Sequence, residues 1–376
     1  MEGVVLALFV CCILALVTKK LSLPTIPFYI IAGLLLGKSG FQLVGQNDVS
    51  EFLTQLGLIF LLFFMGLEIK LDRIISNQSA IVKSGLIDLH INMLIGIAAA
   101  WVLGFSPFDS LVVGFAFFIS STAMTVTSLV ENRKLLNPES ETIVWLMVFE
   151  DLVLIAFILV SGSGGDNPFL LIGEILGGFF IFYLVARFCK PQLKAILKRD
   201  DELPVLLTFS LVLAIAYTSI ALGIPESLMV IAFGVTLGAT DPEAFEVHAR
   251  PFKDVFLVVF FVFFGVSVDF SGGVPLAAII IISLLAIASK FLSGILTGIV
   301  IHRSVYSGVE IWANIIGRGE FSIAIAALYG SALVSSTIAA IVIITSIAGS
   351  FIARYSTRIN IALKSSGIIN PSPPRG

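Results

Sequence analysis

Val144-Trp145-Leu146-Met147-Val148-Phe149-Glu150-Asp151-Leu152-Val153-Leu154-Ile155-Ala156-Phe157-Ile158-Leu159 is apolar from end to end except for two adjacent acids at its middle. Residues 140–162 around it are long enough to cross a bilayer, which takes about 20 residues of helix. A charge at the bilayer centre costs at least about 2.5–3.5 kcal/mol. Two carboxylates side by side at that depth are hard to justify for stability, so the pair reads as functional. Working outward, the whole chain has the same character. Of its 376 residues 58% are hydrophobic and 12% charged, and the mean hydropathy is +1.07. An average soluble protein is roughly 25% charged. The composition excludes an ordinary soluble enzyme and a disordered protein. A net charge of −3 and a pI near 5.7 leave no basic footprint for nucleic acid. The expectation is an all-α polytopic protein embedded in the lipid bilayer.

Apolar runs bounded by Gly, Pro, Asn or charge give thirteen expected spans: 3–18, 24–37, 50–68, 79–104, 108–130, 140–162, 169–189, 203–222, 225–239, 252–270, 273–301, 307–330 and 333–354. The first lacks a basic n-region and a cleavage site, so it reads as a retained span rather than a signal peptide. With the N-terminus outside and alternating helices, every one of the 22 basic residues except Lys38, Lys290 and Arg318 falls on the cytoplasmic side. That asymmetry is the positive-inside pattern. It places the C-terminus, with a tail over 355–376, in the cytoplasm. Cys11, Cys12 and Cys189 form no C-x-x-C and read as buried apolar thiols. No cofactor is expected.

Spans 2 and 9 are both short, led by Pro24 and Pro225, and second in their half of the chain. Spans 3 and 10 both end on a Gly-to-acid pattern, Gly66-Leu67-Glu68 and Gly265-Val266-Ser267-Val268-Asp269. Two six-span units separated by a seventh helix give the second unit the opposite membrane orientation, which is the plan of an inverted-repeat transporter. Asp88, His90, Glu150, Asp151, Lys290, Arg318 and Glu320 fall in spans 4–6 and 11–13, whereas spans 1–3 and 8–10 hold no charge at mid-depth.

Adjacent helix residues point about 100° apart. One acid can therefore face a water-filled cavity while its neighbour turns to a partner. Glu150 is expected to pair with Lys290, and Asp151 to hold Na+ or K+ in competition with a proton. Ser120, Ser121 and Thr122 in span 5 suit an unwound stretch whose carbonyls and hydroxyls coordinate a hard cation. Gly317-Arg318-Gly319-Glu320 marks the equivalent break in span 12. Bland readings stand beside these. Span hydroxyls often bond only to their own helix. Asp88 and His90 read as helix caps or bridges near the cytoplasmic end of span 4. Arg318 and Glu320 read equally as a local ion pair or as transport residues.

Phe149-Glu150-Asp151-Leu152, Ser120-Ser121-Thr122-Ala123-Met124, residues 57–68, Lys290 and Gly317-Arg318-Gly319-Glu320-Phe321 together resemble the monovalent cation:proton antiporter-2 family, over about residues 3–354. That group holds sodium/proton antiporters and Kef-type potassium systems. The resemblance implies thirteen helices in two inverted six-helix repeats, with two crossing broken helices. It implies a homodimerisation domain (1–78 and 203–270), an ion-transporting core (79–162 and 273–354) and a linker over 163–202. Asp151 matches the ion-binding aspartate, Ser120 and Ser121 the first unwound helix, and Lys290 the lysine that pairs with the first acid. Arg318 and Glu320 match the polar pair on the second crossing helix. Two departures stand out. Glu150 replaces the usual Asp or Gln, and no G-x-G-x-x-G nucleotide-binding domain follows. The implied activity is Na+/H+ antiport at a prokaryotic plasma membrane, with K+/H+ exchange or Kef-like efflux as the alternative. A cation channel, an anion symporter on a related scaffold, and an intramembrane enzyme are the rivals. The last lacks H-E-x-x-H or paired intramembrane aspartates in a Gly-x-Gly-Asp setting.

Overall fold

The computed structural model describes residues 2–21, 23–45, 47–68, 78–162, 173, 177–178, 188, 190–197, 199, 201–222, 224–238, 242–270 and 275–365. Among these residues the only regular elements are helices. They are α1 (Glu2–Lys20), α2 (Thr25–Leu36), α3 (Asp48–Glu68), α4 (Gln78–Val102), α5 (Pro107–Phe118), α6 (Thr122–Glu131), α7 (Pro138–Gly162) and α8 (Lys190–Leu197). There follow α9 (Leu203–Ala221), α10 (Glu226–Gly238), α11 (Pro242–Ser267), α12 (Leu276–His302), α13 (Val305–Ile315), α14 (Glu320–Tyr329) and α15 (Ala332–Ser365). Among the described residues, eight helical spans are long and apolar enough to cross a membrane. The pair α13 and α14, bent by 56°, makes up to nine, and α2 and α10 are shorter apolar helices.

Every expected span has a helix except 169–189, most of which lies outside the described residues. Two boundaries differ from expectation. Helix α11 begins at Pro242 rather than near 252 and carries Pro251 inside it. Helix α15 runs past 354 to Ser365. No Gly or Pro interrupts residues 350–365, so nothing stops that helix where its apolar run ends.

The chain divides into two compact units. The smaller comprises Asn47–Asn77 and Asp151–Phe260. Within it α3 and α10 pack backbone to backbone. A Cβ on Gly66 would lie 2.3 Å from the Ile231 carbonyl, and one on Gly234 2.3 Å from that of Phe63. Phe60 stacks on Phe209, Phe252 and Phe256 beside this contact. Lipid offers no hydrophobic drive for helices to associate, so close packing through small residues does it.

The larger unit comprises Met1–Gln46, Gln78–Glu150 and Phe261–Gly376. It repeats the same device. Helix α2 meets the end of α11 through Gly33 and Gly265, whose added Cβ atoms would reach the Val262 and Ile30 carbonyls at 2.0 and 2.3 Å. Helices α4 and α5 touch at Gly96 and Gly114, and α12 and α13 at Gly298 and Gly308, where an added Cβ would come within 2.8 and 2.3 Å of the partner Cα. Helices α4 and α12 then lie against each other and are joined by the ion pair of Asp88 and Lys290.

Candidate functional site: a buried charge cluster at two crossing helix breaks

The helix break at Ile119–Ser121 separates α5 from α6, and the break at 316–319 separates α13 from α14. Each break exposes backbone groups that lipid cannot satisfy. They satisfy each other. Ser121 N–H donates to the Gly317 carbonyl at 2.7 Å. The Ser120 hydroxyl donates to the Ile315 carbonyl at 3.1 Å, and the Thr125 hydroxyl to that of Asn314 at 2.8 Å. The approach is close because Gly319 has no side chain; a Cβ there would sit 2.5 Å from Ser121.

Broken helices leave partial charges at their inner ends, negative at a C-terminus and positive at an N-terminus. The charged side chains are distributed accordingly. At the C-terminus of α5, Arg318 donates to the Phe117 carbonyl at 2.5 Å and Lys290 to that of Phe118 at 2.6 Å. Arg318 also reaches the carbonyls of Ile316, at the end of α13, and Ala286, at 2.5 and 3.1 Å. On the N-terminal side of the break before α6, Glu150 accepts the Ser120 N–H at 2.6 Å and, at 2.9 Å, shares the one Ser120 hydroxyl proton with the Ile315 carbonyl. Glu320, the first residue of α14, accepts the Ser121 hydroxyl at 2.8 Å.

Lys290, midway along α12, joins the cluster together. Its ammonium lies 2.7 Å from a Glu150 oxygen and 2.7 Å from an Asp88 oxygen, with all three side chains at 0–2% exposure. The expected pairing of Glu150 with Lys290 is thus present. Asp151 follows on α7 and is half-buried where Glu150 is buried, as their rotation about the helix dictates. Thr122 opens α6 and is half-buried; Ser120 and Ser121 are buried.

Two expectations change. Asp88 is not at the edge of its span; it is fully buried against Lys290. Its other oxygen accepts the Ser293 hydroxyl at 2.6 Å and the Asn92 amide at 2.9 Å, and Ser289 holds the Asn92 carbonyl at 2.7 Å. His90, on another face of α4, is exposed and bonds its own helix at the Leu86 carbonyl. The local Arg318–Glu320 ion pair is also absent: Arg318 is taken up by the Phe117, Ile316 and Ala286 carbonyls and Glu320 by the Ser121 hydroxyl. Asn92, Ser289 and Ser293 escaped the sequence reading. Their signal was there in the helical spacing of buried polar residues, Ser84, Asp88 and Asn92 on α4 and Ser289, Ser293 and Thr297 on α12.

A second buried pair, Lys134 with Glu310 at 2.8 Å, lies beyond the end of α6. A cavity of about 670 Å³ is lined by Lys19, Met124, Thr127, Glu131, Asn132 and Arg354 among others. It reaches Ala123 and Met124, the second and third residues of α6 and so next to the break.

A sequence profile described as sodium/hydrogen exchanger, transmembrane, matches residues 5–358. The chain belongs to this exchanger family. Its members are membrane transporters, so the chain is a cation/proton antiporter and not an enzyme. Among curated proteins this exchanger is similar to the K(+)/H(+) antiporter subunit KhtU of Bacillus subtilis (strain 168), 29% identical over 374 residues, covering 94% of this chain and 92% of the relative. It also resembles the ammonium/H(+) antiporter subunit AmhT of Alkalihalophilus pseudofirmus, 25% identical over 83% of this chain and 82% of that one. A Na(+)/H(+) antiporter of Enterococcus hirae is 26% identical over 82% and 84%. In fold the exchanger resembles the sodium proton antiporter MjNhaP1 from Methanocaldococcus jannaschii, with a TM-score of 0.67 over 95% of this chain and 96% of that chain at 19% identity.

Proposed function

We propose that this exchanger carries Na+ inward or outward against protons by alternating access, with cation and proton competing for Asp151. The observation that carries the reading is the division of labour on α7. Glu150 is committed to Lys290 and the Ser120 backbone, and Asp151, the next residue, is a half-buried acid on a different face of the helix. A carboxylate there holds either a proton or a cation, and the exclusion of one by the other is what couples the two fluxes. Ser120, Ser121 and Thr122 set the adjoining break, and the charges of Lys290, Arg318 and Glu320 hold the half-helix ends in place around it. The polar cavity that reaches α6 supports a water-filled route to this region.

Potassium is the second reading, supported by the 29% identity to a K(+)/H(+) antiporter subunit. In either case the working unit is a homodimer at a prokaryotic plasma membrane, with the N-terminus outside and the C-terminus in the cytoplasm. The core (79–162 and 273–354) moves against the dimer domain (1–78 and 203–270). Thirteen spans in two inverted repeats are supported by the paired glycine contacts. Spans 2 and 10 pack as α2 on α11, spans 3 and 9 as α3 on α10, and the second contact is the first with the halves exchanged.

The test is exchange in proteoliposomes, read by a pH dye after addition of Na+, Li+ or K+. The wild type acidifies or alkalinises the lumen in response to its cation, and Asp151→Asn abolishes the response while keeping the folded dimer. Normal exchange by Asp151→Asn would overturn the assignment.

A further inference from the structure

The cavity of about 670 Å³ holds charges that the cluster at the two breaks does not use. Its lining belongs entirely to the larger unit. Lys19 comes from the end of α1, Glu131 from the end of α6 and Arg354 from α15. All three are exposed, and among the described residues none has an ion-pair partner. Two cations and one acid therefore share a cavity without pairing to one another. A bare anion there would be repelled by Glu131, and a bare cation by Lys19 and Arg354. The pattern complements a ligand that carries both charges, an anionic group and an ammonium joined by a short linker.

Other lining groups sort the same way. Thr25 and Ile26 are the first two residues of α2, and Pro24 before them offers no capping side chain. The first amides of a helix are unpaired and carry partial positive charge, which suits a phosphate. Leu23, Ile26 and Met124 give the cavity an apolar part. Depth favours a lipid over a soluble ligand. Lys19 and Arg354 stand at the ends of the apolar runs 3–18 and 333–354, Glu131 directly follows 108–130, and Pro24 opens 24–37. With alternating spans these four ends lie at one membrane face, at the level of phospholipid headgroups.

We propose that this cavity binds the headgroup of an aminophospholipid, its phosphate held by Lys19, Arg354 and the start of α2, and its primary ammonium by Glu131. Phosphatidylethanolamine has both groups. Phosphatidylcholine has the same phosphate, but its quaternary nitrogen has no N–H to donate. Phosphatidylglycerol has no cation for Glu131. This site goes beyond the antiport reading and uses none of the charged residues at the two breaks.

The full chain, purified in a mild detergent, is mixed with equal amounts of the three lipids with matched acyl chains, and bound lipid is counted by native mass spectrometry. Wild type is expected to hold phosphatidylethanolamine over phosphatidylcholine by about fivefold, the scale of one partly solvated hydrogen bond between charged groups. Glu131→Ala is expected to keep bound phospholipid but to lose the preference between these two. Lys19→Ala combined with Arg354→Ala is expected to lose both lipids, with thermal melting at the wild-type temperature showing that the fold is kept. If that double variant does not fold, Glu131→Ala decides alone. Equal retention of the two lipids by wild type, a preference for phosphatidylglycerol, or a preference for phosphatidylethanolamine that survives Glu131→Ala overturns the proposal. Soluble phosphoethanolamine bound as tightly as the lipid would place the ligand in solution and overturn the lipid source.

Discussion

The Lys134–Glu310 pair offers the sharpest test of the packing around the two broken helices. Lys134 follows the end of α6, where Arg133 has a left-handed backbone (φ 57°), and Glu310 lies inside α13. Their side chains are 8% and 3% exposed and 2.8 Å apart. Helix α15 closes the cluster. Lys134 donates to the Ala353 carbonyl at 3.0 Å and to the Ser356 hydroxyl, and Asn360 donates to the other Glu310 oxygen at 3.1 Å. Glu310→Leu leaves a buried ammonium with a carbonyl and a hydroxyl but no counter-charge. Breaking a buried pair from one side costs about 3–5 kcal/mol. An exposed pair would be worth only about 0–1 kcal/mol. Replacing both partners, as Lys134→Met with Glu310→Leu, removes the uncompensated charge and is expected to recover most of the loss. The double-mutant coupling should therefore be at least about 2 kcal/mol. Unfolding by SDS titration in mixed micelles, followed by tryptophan fluorescence, measures it. Single variants within about 1 kcal/mol of wild type would refute the reasoning, because the pair would then be behaving as a solvated one.

Other consequences follow from single contacts. Gly319→Ala drives a Cβ to 2.5 Å from Ser121; overpacking of this kind costs about 1–3 kcal/mol, and cation-driven proton flux should fall well before the protein unfolds. Asn92→Leu removes the amide from the Asp88 carboxylate and leaves the Ser289 hydroxyl without that partner; a loss of about 1–3 kcal/mol is expected in the same SDS titration, and an unchanged midpoint would count against the network. At the membrane surface, a hydrogen bond from Arg199 holds the Asp201 carboxyl below its usual range. A lowered carboxylate value gives stability that is present above the ordinary Asp range and lost as pH falls through the lowered value. The pair is largely open to solvent, its side chains 54% and 30% exposed, so Asp201→Asn should leave thermal melting nearly unchanged at neutral pH in physiological salt, and a clear drop would refute the weak, solvent-screened pairing.

The reading of spans from sequence agrees closely with the helices because the physical constraint is local. A segment in lipid must satisfy its own backbone, so length, hydropathy and the placement of Gly and Pro are enough to locate it. The break in span 12 was legible for the same reason, in Gly317 and Gly319 about Arg318. The glycine contacts were only half legible. A Gly at 33, 66, 234 or 265 announces a close approach, but not to which helix.

Function and cluster divide along the same line. Composition by itself determined that this chain is a membrane protein, and the rarity of intramembrane charge singled out Glu150, Asp151, Lys290 and Arg318, because each such charge is costly enough to need a reason. Which charge meets which is not a local property. Asp88 and Lys290 are more than two hundred residues apart in sequence, as are Phe117 and Arg318. The structure alone decided that Lys290 has two carboxylate partners, that Arg318 caps helix ends instead of pairing with Glu320, and that Lys134 and Glu310 form a second buried pair. Those contacts depend on which faces α4, α12 and the two breaks present to one another. That is settled by helix rotation and close packing at glycines, not by the hydropathy of any one segment.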